Sequence, residues 1–248
     1  MSHDLLFPRV LVVSSEAGFC DLFRRAAAAS SVPVEIVLAA DAASARGSLA
    51  ASVDIVYLDD MLSTTDAATV AAAARGAPSR PFTVQLAAAA RGFATEALAD
   101  KPLQTNDAIR LLERSLQTKR PSRVLVVDDS PTMRSIVRKT LAATRFPFEV
   151  TEAGEGFAAL KLVREVEFQL VFLDYNLPEF SGLETLAEFK REGRSVSVVM
   201  ISSTQDAAVA KQARELGAAF LRKPFFPVDI ETALCDFYGL RALNPKPV

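Results

Sequence analysis

Two stretches of the chain, RVLVVSSE at residues 9–16 and RVLVVDDS at residues 123–130, repeat each other, and the correspondence continues in register beyond them. VYLDDML (56–62) matches VFLDYNL (171–177) at an offset of 115, the apolar stretches around FTVQLAA (82–88) and VSVVMIS (196–202) correspond more loosely, with Ala87 meeting Ser202 at the same offset, and ADKPL (99–103) matches LRKPF (221–225) at 122. A tandem duplication constrains the fold more than any other feature here, because each copy must build the same supersecondary plan. The increase in offset from 115 to 122 removes about two helical turns from the last crossover of the first copy.

Each copy alternates apolar runs with amphipathic patterns. In the second copy the runs lie near VLVV (124–127), FEVT (148–151), LVFL (170–173), VSVVMI (196–201) and AAFLR (218–222), with helical stretches such as SPTMRSIVRKTLAAT and GEGFAALKLVREVE between them. Strands with so few polar interruptions are covered on both faces, which predicts parallel sheets wrapped by helices. The expected organisation is a first α/β domain over 1–117, a basic, proline-containing linker TKRPS at 118–122, a second domain over 123–240 and a tail, RALNPKPV, at 241–248. The alanine-rich run ATVAAAAR (68–75) is expected to be a plain helix.

Composition narrows the function. Half of the residues are hydrophobic and the net charge is −2, so the chain buries a core and is not a strongly basic body. The first 117 residues carry ten Lys and Arg against thirteen Asp and Glu, and the remainder eighteen against seventeen. Neither half has the footprint of a nucleic-acid binder. There is no basic leader followed by an apolar stretch, and no run of about 18 uncharged apolar residues, so no membrane partner is expected and the cytoplasm is the expected compartment. Cys20 and Cys235 lie in separate helical patterns without metal-type spacing and read as free thiols, and His3 reads as part of a terminus outside any site.

In the second copy the polar residues that interrupt the strands stand at their carboxyl ends: Asp128 and Asp129 after the first, Asp174 after the third, Ser202 after the fourth and Lys223 after the fifth. Ligands of open α/β sheets bind outside those ends, so the five positions are expected to converge. Three carboxylates about 4 Å apart repel by about 4 kcal/mol per pair at an effective dielectric near 20, which calls for a cation among them. Oxygen ligands without His or Cys favour a hard ion such as Mg²⁺. Lys223 adds a compact positive charge suited to a phosphate oxygen and Ser202 a hydroxyl, so the set describes a site for placing a phosphoryl group on Asp174.

The motifs VLVVDDS, VFLDYNLPEFSG, MISST and FLRKPF, in this order over roughly residues 121–240, resemble the receiver domain of two-component response regulators. The resemblance implies a flavodoxin-like (βα)5 fold with a five-stranded parallel sheet in each copy. It implies that Asp174 accepts a phosphoryl group from a histidine kinase or histidine phosphotransfer protein. It further implies that Asp128, Asp129, Asp174 and the backbone carbonyl of Asn176 hold Mg²⁺, that Lys223 contacts the phosphoryl group, and that Ser202 and Phe220 switch on phosphorylation. Phe220 stands where tyrosine is common in the family. Asn176 and Thr204 occupy positions that tune hydrolysis of the acyl phosphate. Of Phe225 and Phe226, beside the lysine, one is expected in the core and the other as a contact for the phosphodonor, and Met133, beside the acid pair, is expected either as a second such contact or packed inside.

The first copy resembles the same family with most of the site gone. Ser14 and Ser15 replace the acid pair, Met61 stands at the Asn176 position and Ala87 at that of Ser202, leaving Asp59 and Lys101. The serines read as N-cap candidates for the next helix and Asp59 with Lys101 as a simple ion pair, making this half a pseudo-receiver suited to docking or homodimerisation. The expected role of the whole is a non-enzymatic phosphoacceptor switch with a downstream protein partner. The alternatives are the regulatory fragment of a larger protein, such as a cyclic-dinucleotide enzyme, and a hydrolase with an aspartyl nucleophile. The last is disfavoured because Asn176 stands where such enzymes need an acid/base aspartate.

Overall fold

The computed structural model describes residues 7–243, so the expectation for His3 falls outside the described residues. The described residues divide into two compact units, one made of residues 7–119 together with 238–243, the other of 120–237. The 118–122 linker is thus shorter than expected, since the second unit's first strand already begins at Ser122.

The first unit holds β1 (Arg9–Val13), α1 (Ala17–Ala29), β2 (Glu35–Ala39), α2 (Ala42–Ser48), β3 (Ile55–Asp59), α3 (Thr64–Gly76), β4 (Phe82–Leu86), β5 (Ala97–Ala99) and α4 (Thr105–Gln117). The second holds β6 (Ser122–Val127), α5 (Pro131–Ala143), β7 (Phe148–Ala153), α6 (Gly156–Glu165), β8 (Leu170–Asp174), α7 (Gly182–Arg191), β9 (Ser197–Ser202), α8 (Ala207–Glu215), β10 (Ala219–Arg222) and α9 (Pro227–Phe237). Both sheets are five-stranded and parallel, ordered β2-β1-β3-β4-β5 and β7-β6-β8-β9-β10, the flavodoxin-like arrangement. The inner strands β1, β3, β4, β6, β8 and β9 are buried on both faces, whereas β2, β7 and β10 at the sheet edges are only partly covered. In the second unit Leu125, Val127, Val171, Leu173, Val198 and Met200 pack beneath α6 and α7; in the first, Leu11, Val13, Val56 and Leu58 pack with Val70 and Ala74 of α3.

The first unit departs from the (βα)5 expectation, with five strands and four helices among the described residues. No helix lies between β4 and β5, where the second unit has α8, so the shortened crossover has lost its helix altogether. The connecting loop is instead held by Gln85, a buried polar residue on β4. Its amide nitrogen donates to the Phe93 carbonyl (3.1 Å) and to Thr95 Oγ1 (3.0 Å), and its oxygen accepts from the Arg91 N–H (3.0 Å). A buried amide so satisfied replaces the hydrogen bonds a helix would have kept to itself.

Residues 238–243 group differently from the expected division. Residues 238–240, expected in the second domain, and 241–243, expected in the tail, pack as part of the first unit. Arg241 and Leu98 of β5 exchange both backbone hydrogen bonds (2.7 and 3.0 Å) in an antiparallel bridge, while Tyr238, Leu240 and Ala242 are buried. The Arg241 guanidinium donates to the carbonyls of Ala87 (2.7 Å) and Ala88 (3.0 Å) and pairs with Asp100 (2.8 Å). A parallel sheet ends here in an edge covered by an extended segment, which removes an exposed pairing surface.

Candidate functional site

Strand register puts the second unit's polar residues in one row. Val127 pairs with Leu173, Asp174 with Ile201, and Ser202 with Arg222, so Asp128, Asp174, Ser202 and Lys223 emerge at neighbouring strand ends. One carboxylate oxygen from each of Asp128, Asp129 and Asp174 falls within a group whose members all lie within 4.8 Å of one another. Asp128 and Asp174 are buried and Asp129 is exposed. Lys223 Nζ lies 2.9 Å from Asp128 Oδ2 and 3.0 Å from Asp174 Oδ1.

The loop after β6 fixes the first acid. Asp128 donates its N–H to the Ala153 carbonyl (3.2 Å), its Oδ1 accepts the Ser130 N–H (2.9 Å), and its carbonyl accepts from Arg134 Nη1 (2.7 Å). Ser130 then caps α5 by accepting the Met133 N–H (3.4 Å), with Pro131 following in the first turn, where a missing N–H costs nothing. Asp129 accepts no hydrogen bond or ion pair at its carboxylate among the described residues. It is the acid left open to a ligand.

Asp174 is the opposite case, a buried carboxylate with one cation. Burial first, then repulsion from Asp128 and Asp129, raises its pKa against the pull of Lys223. Burial works against the charge of Lys223 itself, but its bonds to Asp128 and Asp174 prevail and raise its pKa. Asp174 Oδ1 is buried without a hydrogen bond of good geometry. A crowded, under-compensated set of three oxygen donors with no nitrogen or sulfur is what a hard divalent cation fits. Behind Asp174, the first turn of α7 approaches so closely that a Cβ on Gly182 would collide with the Asp174 carbonyl, and Gly182 donates its N–H to the Tyr175 carbonyl (2.9 Å). Ser181 and Glu184 close a capping box at that helix start.

The other expected positions are placed as follows. Ser202 is buried and its Oγ accepts the Thr204 N–H (3.0 Å). Asn176 is exposed in the loop after β8, and Phe220 is half-buried on β10 against the core. Met133 is half-buried, Phe225 half-buried and Phe226 exposed. Sequence reasoning missed Arg134 and Gly182. Nothing in one sequence separates Arg134 from a solvated helical arginine, or Gly182 from an ordinary loop glycine.

In the first unit the matching strand ends carry a closed knot. Asp59 is fully buried; Ser14 Oγ donates to its Oδ2, and Lys101 Nζ lies 2.8 Å from its Oδ1. Lys101 also reaches Glu16 (3.1 Å) and Asp60 (3.2 Å) and sits over the Phe19 ring, so the expected simple pair is a network. Burial opposes its charge, yet these carboxylates hold its pKa well above the usual lysine value. Ser14 and Ser15 are not helix caps: Glu16 occupies that position, and Ser14 instead spends its hydroxyl on Asp59 while accepting the Glu16 N–H (3.0 Å). Arg91, from the loop that replaced the lost helix, donates to the carbonyls of Asp59 (3.3 Å) and Leu62 (2.6 Å).

Comparison with known proteins places this geometry. Residues 124–235 match the response regulator receiver domain. The chemotaxis protein CheY of Listeria monocytogenes is 35% identical over 104 residues, which cover 42% of this chain and 87% of that protein. A protein-glutamate methylesterase/protein-glutamine glutaminase of Treponema denticola is 37% identical over 105 residues, 41% of this chain and 28% of that enzyme. The nitrate/nitrite response regulator protein NarP of Escherichia coli is 34% identical over 82 residues, 33% of this chain and 38% of that protein. The matched residues thus span well under half the length of the methylesterase and of NarP. The solved structure of a probable two-component system response regulator/GGDEF domain protein shares the fold across 93% of this chain and 97% of its own, at 20% identity and a TM-score of 0.55. With its acid cluster, strand-end lysine and a match spanning most of a CheY, the chain belongs to the response regulator receiver family.

Proposed function

We propose that the second unit is a phosphorylatable receiver in which Asp174 accepts a phosphoryl group from a histidine kinase or histidine phosphotransfer protein. The observation that carries this is the buried Asp174 carboxylate, clustered with Asp128 and Asp129 and 3.0 Å from Lys223. An Asp174 oxygen attacks phosphorus as the P–N bond of a phosphohistidine breaks, and the imidazole nitrogen leaves with the electron pair and takes a proton from solvent. Lys223 is held where it meets a phosphoryl oxygen once the bond forms. Asp128, Asp129, Asp174 and the Asn176 carbonyl would hold Mg²⁺, which would neutralise charge on the phosphoryl oxygens. Ser202 and Phe220 carry the change of state outward.

The first unit is a pseudo-receiver. Its Asp59 already has a hydroxyl and an ammonium as partners, with Ser14 and Ser15 where the second unit has its acid pair, so it offers neither a metal site nor a free nucleophile. Its role is docking of a downstream protein or of a second copy, and the chain acts as a signalling switch and not as an enzyme. A second reading, supported by the methylesterase in which the matched region is a minor part, is that these units regulate a catalytic portion of a longer protein. The length of the intact gene product decides between them.

The test is incubation with Mg²⁺ and a small acyl-phosphate donor, followed by peptide mapping. Modification at Asp174 alone, lost in Asp174→Asn, is the expected result. An unmodified protein overturns the receiver reading, and label on Asp59 overturns the pseudo-receiver reading.

A further inference from the structure

We propose that Arg134 is a positioning residue for the acid pair, setting where the Asp129 carboxylate stands and so the affinity of the pocket for a divalent cation. The proposal rests on the Mg²⁺ reading above. Arg134 lies one turn into α5, its N–H donating to the Ser130 carbonyl (3.1 Å), and helical side chains lean toward the N-terminus. Its guanidinium therefore folds back over the acid loop. Nη1 donates to the Asp128 carbonyl at 2.7 Å and reaches the Asp129 carbonyl at 3.5 Å. At its other end Nε donates to Glu152 Oε2 on β7 (3.0 Å), while Glu152 Oε1 accepts from Arg138 Nε (3.1 Å). The planar fork is thus clamped between a strand and the two carbonyls of the acid pair.

Every polar atom of Asp128 is committed, to Ala153, Ser130, Arg134 and Lys223, whereas the Asp129 carboxylate is held by nothing but its own backbone. Its direction follows from the orientation of the peptide planes at 128 and 129, and Arg134 is the side chain that grips them. Outer partners of this kind commonly govern metal affinity.

The sign of the effect separates this role from simple charge. Arg134 is a cation near a cation site, so by Coulomb's law its removal tightens Mg²⁺ binding; as a positioning residue its removal weakens it. The test is calorimetric titration of Mg²⁺ into the full 248-residue chain as wild type, Arg134→Ala and Arg134→Lys, at a temperature where circular dichroism shows all three folded. Arg134→Ala is expected to weaken binding about tenfold. Arg134→Lys, which keeps the charge and loses the fork, weakens it by a smaller factor and carries the test alone if the alanine variant does not fold. Unchanged or tighter binding in the variants overturns the role of Arg134. Absence of Mg²⁺ binding in the wild type overturns the metal reading itself, and this proposal with it.

Discussion

Asp59 and Asp174 end corresponding strands, and their surroundings set them apart. Asp59 is matched by Ser14 and Lys101; Asp174 shares Lys223 with a second acid and faces a third. Removing the cation from a fully buried carboxylate is costly, so Lys101→Met is expected to destabilise the first unit by about 3–5 kcal/mol in urea denaturation. A loss under about 1 kcal/mol, typical of exposed pairs, would show that Asp59 does not depend on Lys101. Asp174→Asn should act in the other direction. The raised pKa of Asp174 means that its charged form is disfavoured in the folded state, so at neutral pH and without metal the carboxylate costs stability, a cost that fades as pH falls through the folded pKa. The asparagine variant is expected to be the more stable at pH 7, with the difference shrinking in acid. Denaturation at several pH values without metal checks the sign. The strand-end acids, Ser202 and Lys223 were legible in the sequence because each interrupts an apolar run. Arg134 was not, since an arginine in a first helical turn looks like any solvated side chain until the fold brings two carbonyls beneath it.

At the scale of elements, the lost crossover helix shows what one sequence carries and what it does not. The jump in repeat offset located the deletion, and the structure shows that a loop pinned by Gln85 fills the gap. The covering of β5 was not legible, because Tyr238, Leu240 and Ala242 alternate over five residues, too short a run to distinguish from the end of a helical pattern. The segment contributes buried apolar side chains as well as the paired backbone of Arg241. Leu240→Ala is therefore expected to cost the first unit about 2–5 kcal/mol. Hydrogen exchange at Ala97–Ala99 should accelerate in the variant while Mg²⁺ affinity stays as in the wild type. Unchanged protection of β5 would mean that the segment contributes nothing to that edge.

At the scale of the whole molecule, the path of the chain makes the receiver an insertion between two segments of the first unit, residues 120–237 between 119 and 238. The duplication made the two parallel sheets predictable, but not this arrangement, which depends on residues 238–243 packing with β5 of the first unit. No helix among the described residues is long and apolar enough to cross a membrane. The division of chemistry between the units has a thermodynamic signature. Asp128, Asp129 and Asp174 form a cluster that could hold a metal, whereas Asp59, paired with Ser14 and Lys101, belongs to no such cluster among the described residues. An ion that binds one folded unit stabilises that unit alone, by about 2.7 kcal/mol at a hundred times its dissociation constant. For a unit of this size that is a rise of on the order of 10 °C in melting temperature. Calorimetry with and without Mg²⁺ should accordingly show one transition moving and the other standing still, and the movement should vanish in Asp129→Ala. A shift that survives Asp129→Ala would place the ion outside the acid cluster, and a Mg²⁺-dependent shift traced by hydrogen exchange to β1–β5 would show that the serine-bearing copy still binds a cation.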